Sequence, residues 1–217
     1  TIIISKKGTT LTQNNNIQMH FDDLPNNIDL GNILAIDTET LGLNPNRDRL
    51  CLIQINSGNS KTHLIKIDKE KKPAPNLSKI LENEKVLKIF HFARFDVAIL
   101  NKTYGITTNN IYCTKIASKI ARTYTDRHGL KDLCKELLDV ELSKEQQSSD
   151  WGSKKLSNSQ QSYAASDVIY LHDIRKKLDL ILHRENRLDL AHACFKFIKT
   201  QVELDLRGWH DQNIFNH

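Results

Sequence analysis

The chain has 217 residues, of which 39% are apolar and 26% charged, with a formal net charge of +5 and a pI near 8.9. That length fits one domain, or one domain with an appendage, with a substantial buried core. No run approaches the roughly 18 apolar residues of a membrane span, and the stretch Ile2–Ile4 is too short for a signal-peptide core. The mild basicity suits a polyanionic partner but does not by itself identify one. Cysteines 51, 113, 134 and 194 form no C-x-x-C pair. They therefore argue against a zinc or disulfide framework and read as buried, reduced thiols of a cytoplasmic protein.

Residues 1–16 are polar and predict an exposed start, with Ile2–Ile4 as an added edge strand. Residues 17–29 mix apolar and acidic side chains and read as short helices and turns that Asp22, Asp23 and Asp29 cap or line. The stretch 33–40, Ile-Leu-Ala-Ile-Asp-Thr-Glu-Thr, is the first clear strand. Its four leading apolar residues suit a strand covered on both faces. Alternation then points Asp37 and Glu39 the same way and Thr38 the other. Two carboxylates on one side of a strand end repel each other, and hard cations such as Mg²⁺, which prefer oxygen ligands, would relieve that repulsion. The strand end thus reads as half of a two-metal site.

Gly42, Asn44, Pro45 and Asn46 mark a turn. Strands over 50–56 and 62–66 follow, completing an antiparallel meander. A charged link over 68–75 leads to a helix from Asn76 or Ser78 through Leu81. The run 86–90 is another strand, ending at His91, and 93–100 reads as helical. A short strand over 111–113 and a helix over 114–121 come next. Leu130, Leu133, Cys134, Leu137 and Leu138 trace a strongly amphipathic helix. Residues 140–155 are irregular. Ser157 or Ser159 caps a helix that runs on to Leu182, and a last helix over 188–206 packs back on the domain. Strands first, then strand–helix units, then helices argue a mixed sheet of about five strands flanked by helices.

Three carboxylate stations stand out: Asp37 with Glu39, Asp96 within His-Phe-Ala-Arg-Phe-Asp, and Tyr163-Ala-Ala-Ser-Asp167. The last pair is one helical turn apart, on one face. Asp-x-Glu, a central Asp, and Tyr-x-x-x-Asp, in this order, resemble the three motifs of the DEDD exonucleases. The Tyr marks the DEDDy branch, since Ser162 stands where the histidine branch carries His. Residues 50–55, Gly129-Leu-Lys-Asp-Leu133, the stretch from Lys144 to Trp151, and the Tyr163–Val168 helix resemble bacterial ribonuclease D over roughly 21–182. Ribonuclease D carries helical HRDC domains after its catalytic domain. The residues after 182–206 are expected to be too few for one, and the resemblance is to the short, single-domain ribonuclease D-like proteins.

The resemblance implies an α/β, ribonuclease H-like fold and a 3′-5′ exonuclease that releases nucleoside 5′-monophosphates from single-stranded RNA 3′ ends. The same chemistry on DNA and a catalytically silent nucleic-acid-binding module are the alternatives. It implies two divalent cations, Mg²⁺ or Mn²⁺. Asp37 would bridge both. Glu39 and Asp167 would complete the site of the cation that holds the attacking water, and Asp96 would hold the other, largely through water. Tyr163 would orient the water, its ordinary pKa near 10 making it a poor base. Glu39 would also accept a hydrogen bond from the terminal 3′-hydroxyl. Leu41 and Phe92 are expected to touch the last base or sugar, with His91 and Trp151 as further substrate contacts. A structural histidine and a packing tryptophan are the plainer readings of those two. Among Arg94, Lys115, Lys119, Arg122, Arg127, Lys131, Lys154 and Lys155, some are expected to track phosphates.

Overall fold

The computed structural model describes residues 2–4, 10–12, 16–70, 72–142 and 149–216. The strands are β1 (Ile2–Ile4), β2 (Thr10–Thr12), β3 (Ile17–Phe21), β4 (Ile33–Thr40), β5 (Leu50–Asn56), β6 (Thr62–Lys66), β7 (Leu87–Phe90) and β8 (Ile111–Cys113). The helices are α1 (Pro75–Glu82), α2 (Ala93–Tyr104), α3 (Thr114–Ala121), α4 (Leu130–Leu138), α5 (Asn158–Ile169), α6 (Leu171–Arg184) and α7 (Leu188–Leu204), followed by a wider π-helical turn over Asp205–Trp209. Among the described residues, no helix is long and apolar enough to cross a membrane. All four cysteines are free.

The main sheet has six strands in the order β3-β6-β5-β4-β7-β8. Strands β4, β5 and β6 form the expected antiparallel meander, while β7 and β8 run parallel to β4. The sixth strand corrects the sequence reading. Ile17–Phe21 is not helical but an edge strand, parallel to β6, and its Ile-Gln-Met-His-Phe alternation suits a sheet with one covered face. Ile2–Ile4 pairs with Thr10–Thr12 in a separate two-stranded sheet and does not extend the main one. The acidic residues after β3 do cap: both Asp23 oxygens accept backbone amides of α1, from Leu77 and Asn76, each at 2.9 Å. The remainder of the polar start (5–9 and 13–15) and residues 144–148 of the ribonuclease D-like stretch lie outside the described residues.

The two faces of the sheet differ. The larger core joins Leu34 and Ile36 of β4, Ile53 and Ile55 of β5, and Ile65 of β6 to buried residues of α2, α3, α6 and α7. Each such Leu or Ile contributes about 1.5–3 kcal/mol on burial. The smaller cluster holds Cys51, Leu52, Leu64, Trp151 and Ala164, with Tyr163 packed against it. It lies beneath α5, which packs across β4, β5 and β6. Ala191, Phe195, Ile198 and Val202 are the buried face of α7, which packs on α2, α3 and β8. The expected single helix to Leu182 is interrupted at Tyr170, where α5 ends and α6 begins.

Candidate active site

Strand β4 is buried over Leu34–Ile36, and in its acidic half Asp37 and Glu39 are half-buried while Thr38 between them is buried. Helix α5 starts at a capping box, in which the Ser157 side chain and the Gln160 side chain each bond the other's backbone amide. From that start, Tyr163 and Asp167 face the strand one turn apart. One carboxylate oxygen each from Asp37, Glu39 and Asp167 lie within 4.8 Å of one another.

Asp96 arrives from the other side. It stands in the first turn of α2, buried, and accepts a 2.7 Å hydrogen bond from Thr38 Oγ1. Thr38 does point away from Asp37, as strand alternation requires, and that is the side from which α2 delivers Asp96. Sequence alternation foresaw the direction of Thr38 but not this partner.

The electrostatics are those of an uncompensated acidic cluster. Desolvation raises the Asp37 carboxyl to about 7, opposed only by the Thr38 backbone amide. Desolvation raises Glu39 to about 10, helped by repulsion from Asp37, Asp167 and Asp96. Desolvation and Asp37 also push Asp96 and Asp167 well above the carboxylate range, against hydrogen bonds from Thr38 and Tyr163 respectively. Tyr163 is itself raised, first by burial and then by the carboxylates around it, so it stays a phenol and donates to Asp167. Among the described residues, no Lys or Arg is a cause of the shift at any of these four carboxyls. An all-oxygen, unpaired, partly desolvated donor set of this kind fits hard divalent cations.

The substrate-contact expectations divide. Leu41, directly after β4, is 54% exposed, and Phe92, directly before α2, is 46% exposed. Phe92 is the residue before α2 and holds φ at 70°, a left-handed backbone that bulky side chains rarely adopt. Lys115 Nζ sits 4.3 Å from the centroid of its ring, a cation–π contact that sequence spacing did not announce. His91 is half-buried, its Nδ1 2.9 Å from Thr114 Oγ1, and burial lowers its pKa to about 3. It therefore offers a phosphate no positive charge.

Trp151 is a correction. At 2% exposure it has no face to offer a base; its ring lies 6.1 Å from that of Tyr163 and supports it. The next residue, Gly152, lies close to Leu41: a Cβ there would stand 2.9 Å from Leu41 Cδ2. Two of the basic candidates are also committed elsewhere. Arg94 forms a two-point pair with Asp205, and the buried Arg122 is held by Glu136.

A sequence profile described as a 3′-5′ exonuclease matches residues 13–183. The chain belongs to the 3′-5′ exonuclease family. A ribonuclease D of Acidiphilium cryptum is 30% identical over 156 residues, which are 72% of this exonuclease chain and 39% of the relative. The chain thus spans about two fifths of the length of that curated relative. Among solved structures, NrnC of Brucella melitensis with bound Mg²⁺ is 52% identical, with a TM-score of 0.89, covering 93% of this chain and 99% of that one. NrnC bound to pGG is 53% identical, with a TM-score of 0.90, covering 93% and 98%. The mixed sheet flanked by helices is the α/β, ribonuclease H-like fold of these exonucleases.

Proposed function

We propose that the chain is a 3′-5′ exoribonuclease that hydrolyses the terminal phosphodiester of single-stranded RNA and releases nucleoside 5′-monophosphates. The convergence of Asp37, Glu39 and Asp167 within 4.8 Å carries this reading, with Asp96 one strand position away through Thr38. The neighbours support it: a ribonuclease D, and an NrnC bound to pGG, which favours short RNA ends as substrate.

Asp37, Glu39, Asp96 and Asp167 would hold two divalent cations, Mg²⁺ or Mn²⁺. When bound, these supply charge on the scissile phosphate, a more acidic water and stabilisation of the leaving 3′-oxygen. The chain's own groups do the rest. Asp37 repels each of the other three carboxylates, which suits a shared ligand. Tyr163 keeps its proton, donates to Asp167, and orients the attacking water by its hydroxyl rather than removing a proton. Glu39 accepts from the terminal 3′-hydroxyl, which favours ends over internal bonds. Leu41 and Phe92 bracket the last nucleoside, and the Lys115 ammonium beside Phe92 is placed for a phosphate.

The test is hydrolysis of 5′-labelled RNA and matched DNA with Mg²⁺, with Mn²⁺ and with EDTA. Stepwise shortening from the 3′ end, lost in EDTA, is expected. The RNA-to-DNA ratio of rates decides the sugar.

A further inference from the structure

Gln54 is fully buried in the middle of β5, yet neither its Oε1 nor its Nε2 has a hydrogen-bond partner. A neutral amide buried this way costs free energy, and native chains seldom keep one without a use. Its place in the sheet suggests the use. In the antiparallel register Gln54 lies directly opposite Asp37 on β4 and Leu64 on β6. Directly paired residues project to the same face with Cβ atoms about 4.5–5.5 Å apart. That face is the one beneath α5, where Leu52, Leu64, Trp151 and Ala164 pack and where Tyr163 abuts. Gln54 is therefore aimed into the layer that holds Asp37, Glu39, Tyr163 and Asp167, beside Leu52, Leu64, Trp151 and Ala164.

We propose that Gln54 is a positioning residue for the metal-binding carboxylates: its amide N–H donates to the Asp37 carboxylate when Asp37 holds a cation, fixing which oxygens face the ions. The inference rests on reading Asp37 as a metal ligand. The arrangement parallels the one on the opposite face, where the Thr38 hydroxyl already holds Asp96. Partners that orient metal ligands in this way commonly matter 10–100-fold to metal affinity.

The assignment predicts two effects of Gln54→Met that a packing role would not combine. Mn²⁺ affinity, measured by calorimetry, should fall about 10-fold or more. The melting temperature in EDTA should stay at or above that of wild type, because an unpartnered amide is replaced by an apolar side chain of similar length. Gln54→Leu serves as a second apolar variant if Met does not pack. Wild type and Asp37→Ala run alongside. Absence of Mn²⁺ binding by wild type would overturn the metal reading and this inference with it. Wild-type binding that is lost in Asp37→Ala but unchanged in both Gln54 variants would overturn the Gln54 assignment alone.

Discussion

Thr38 Oγ1 donates a 2.7 Å hydrogen bond to Asp96 Oδ1, joining two residues 58 positions apart in the chain. Strand β4 thereby serves both faces of the sheet: Asp37 and Glu39 turn toward α5, and Thr38 turns toward α2 and holds the fourth carboxylate. Thr38→Val keeps the shape and β-branching of the side chain but removes the donor. Turnover is expected to fall roughly 10–100-fold, with a stability loss of about 1 kcal/mol. Steady-state kinetics and a melt in EDTA measure the two. Wild-type kinetics would mean that Asp96 needs no such orientation.

Phe92 combines a left-handed backbone with a half-exposed ring beneath Lys115. Strain of this kind costs about 1–3 kcal/mol and is retained where it serves a site. Phe92→Asn, a residue that tolerates this backbone better, should leave the metal-free melting temperature equal or raised while KM for RNA increases several-fold. A lowered melting temperature with an unchanged KM would make the ring a structural plug.

The acidic cluster makes a pH prediction with a definite sign. Asp37 and Glu39 titrate at about 7 and about 10 in the folded protein, against about 4 when unfolded. Between those values the folded state binds more protons than the unfolded state, so stability falls as pH rises. In EDTA the melting temperature should therefore drop between about pH 5 and about pH 8. Asp37→Asn should flatten that slope, and saturating Mg²⁺ should reverse it at the upper end. A slope independent of Asp37 would place the protons elsewhere.

Tyr163 is raised in pKa by burial and by its carboxylate neighbours and donates to Asp167. A group that stays protonated orients water rather than accepting its proton. Tyr163→Phe should slow turnover by less than the ~10²–10⁴-fold expected for loss of a general base, without moving the pH–rate profile. A shift of the alkaline limb would assign the proton transfer to Tyr163.

Much of this site was legible because its residues are close in sequence or at helical spacing. Asp37 and Glu39 follow from strand alternation, Tyr163 and Asp167 from one helical turn, and Asp96 from its place after an apolar strand. What stayed hidden depends on register and on loop closure. Thr38 meets Asp96 only because α2 packs on its face of the sheet, and Gln54 comes opposite Asp37 only through the strand register. Trp151 was open to two readings, and its burial beside Tyr163 depends on how the loop before α5 folds onto the sheet. The edge strand Ile17–Phe21 was misread because the acidic turn after it dominated the stretch. The break at Tyr170 has no Pro or Gly to announce it.

The central claim is tested most directly by an end-labelled assay on purified protein beside Asp37→Ala, with Mg²⁺, Mn²⁺ or EDTA. A ladder of 5′-labelled RNA shortening from its 3′ end, absent in EDTA and in the variant, is the predicted result. RNA that is bound but left intact with either ion would contradict it and make the chain a silent nucleic-acid-binding module on an exonuclease fold.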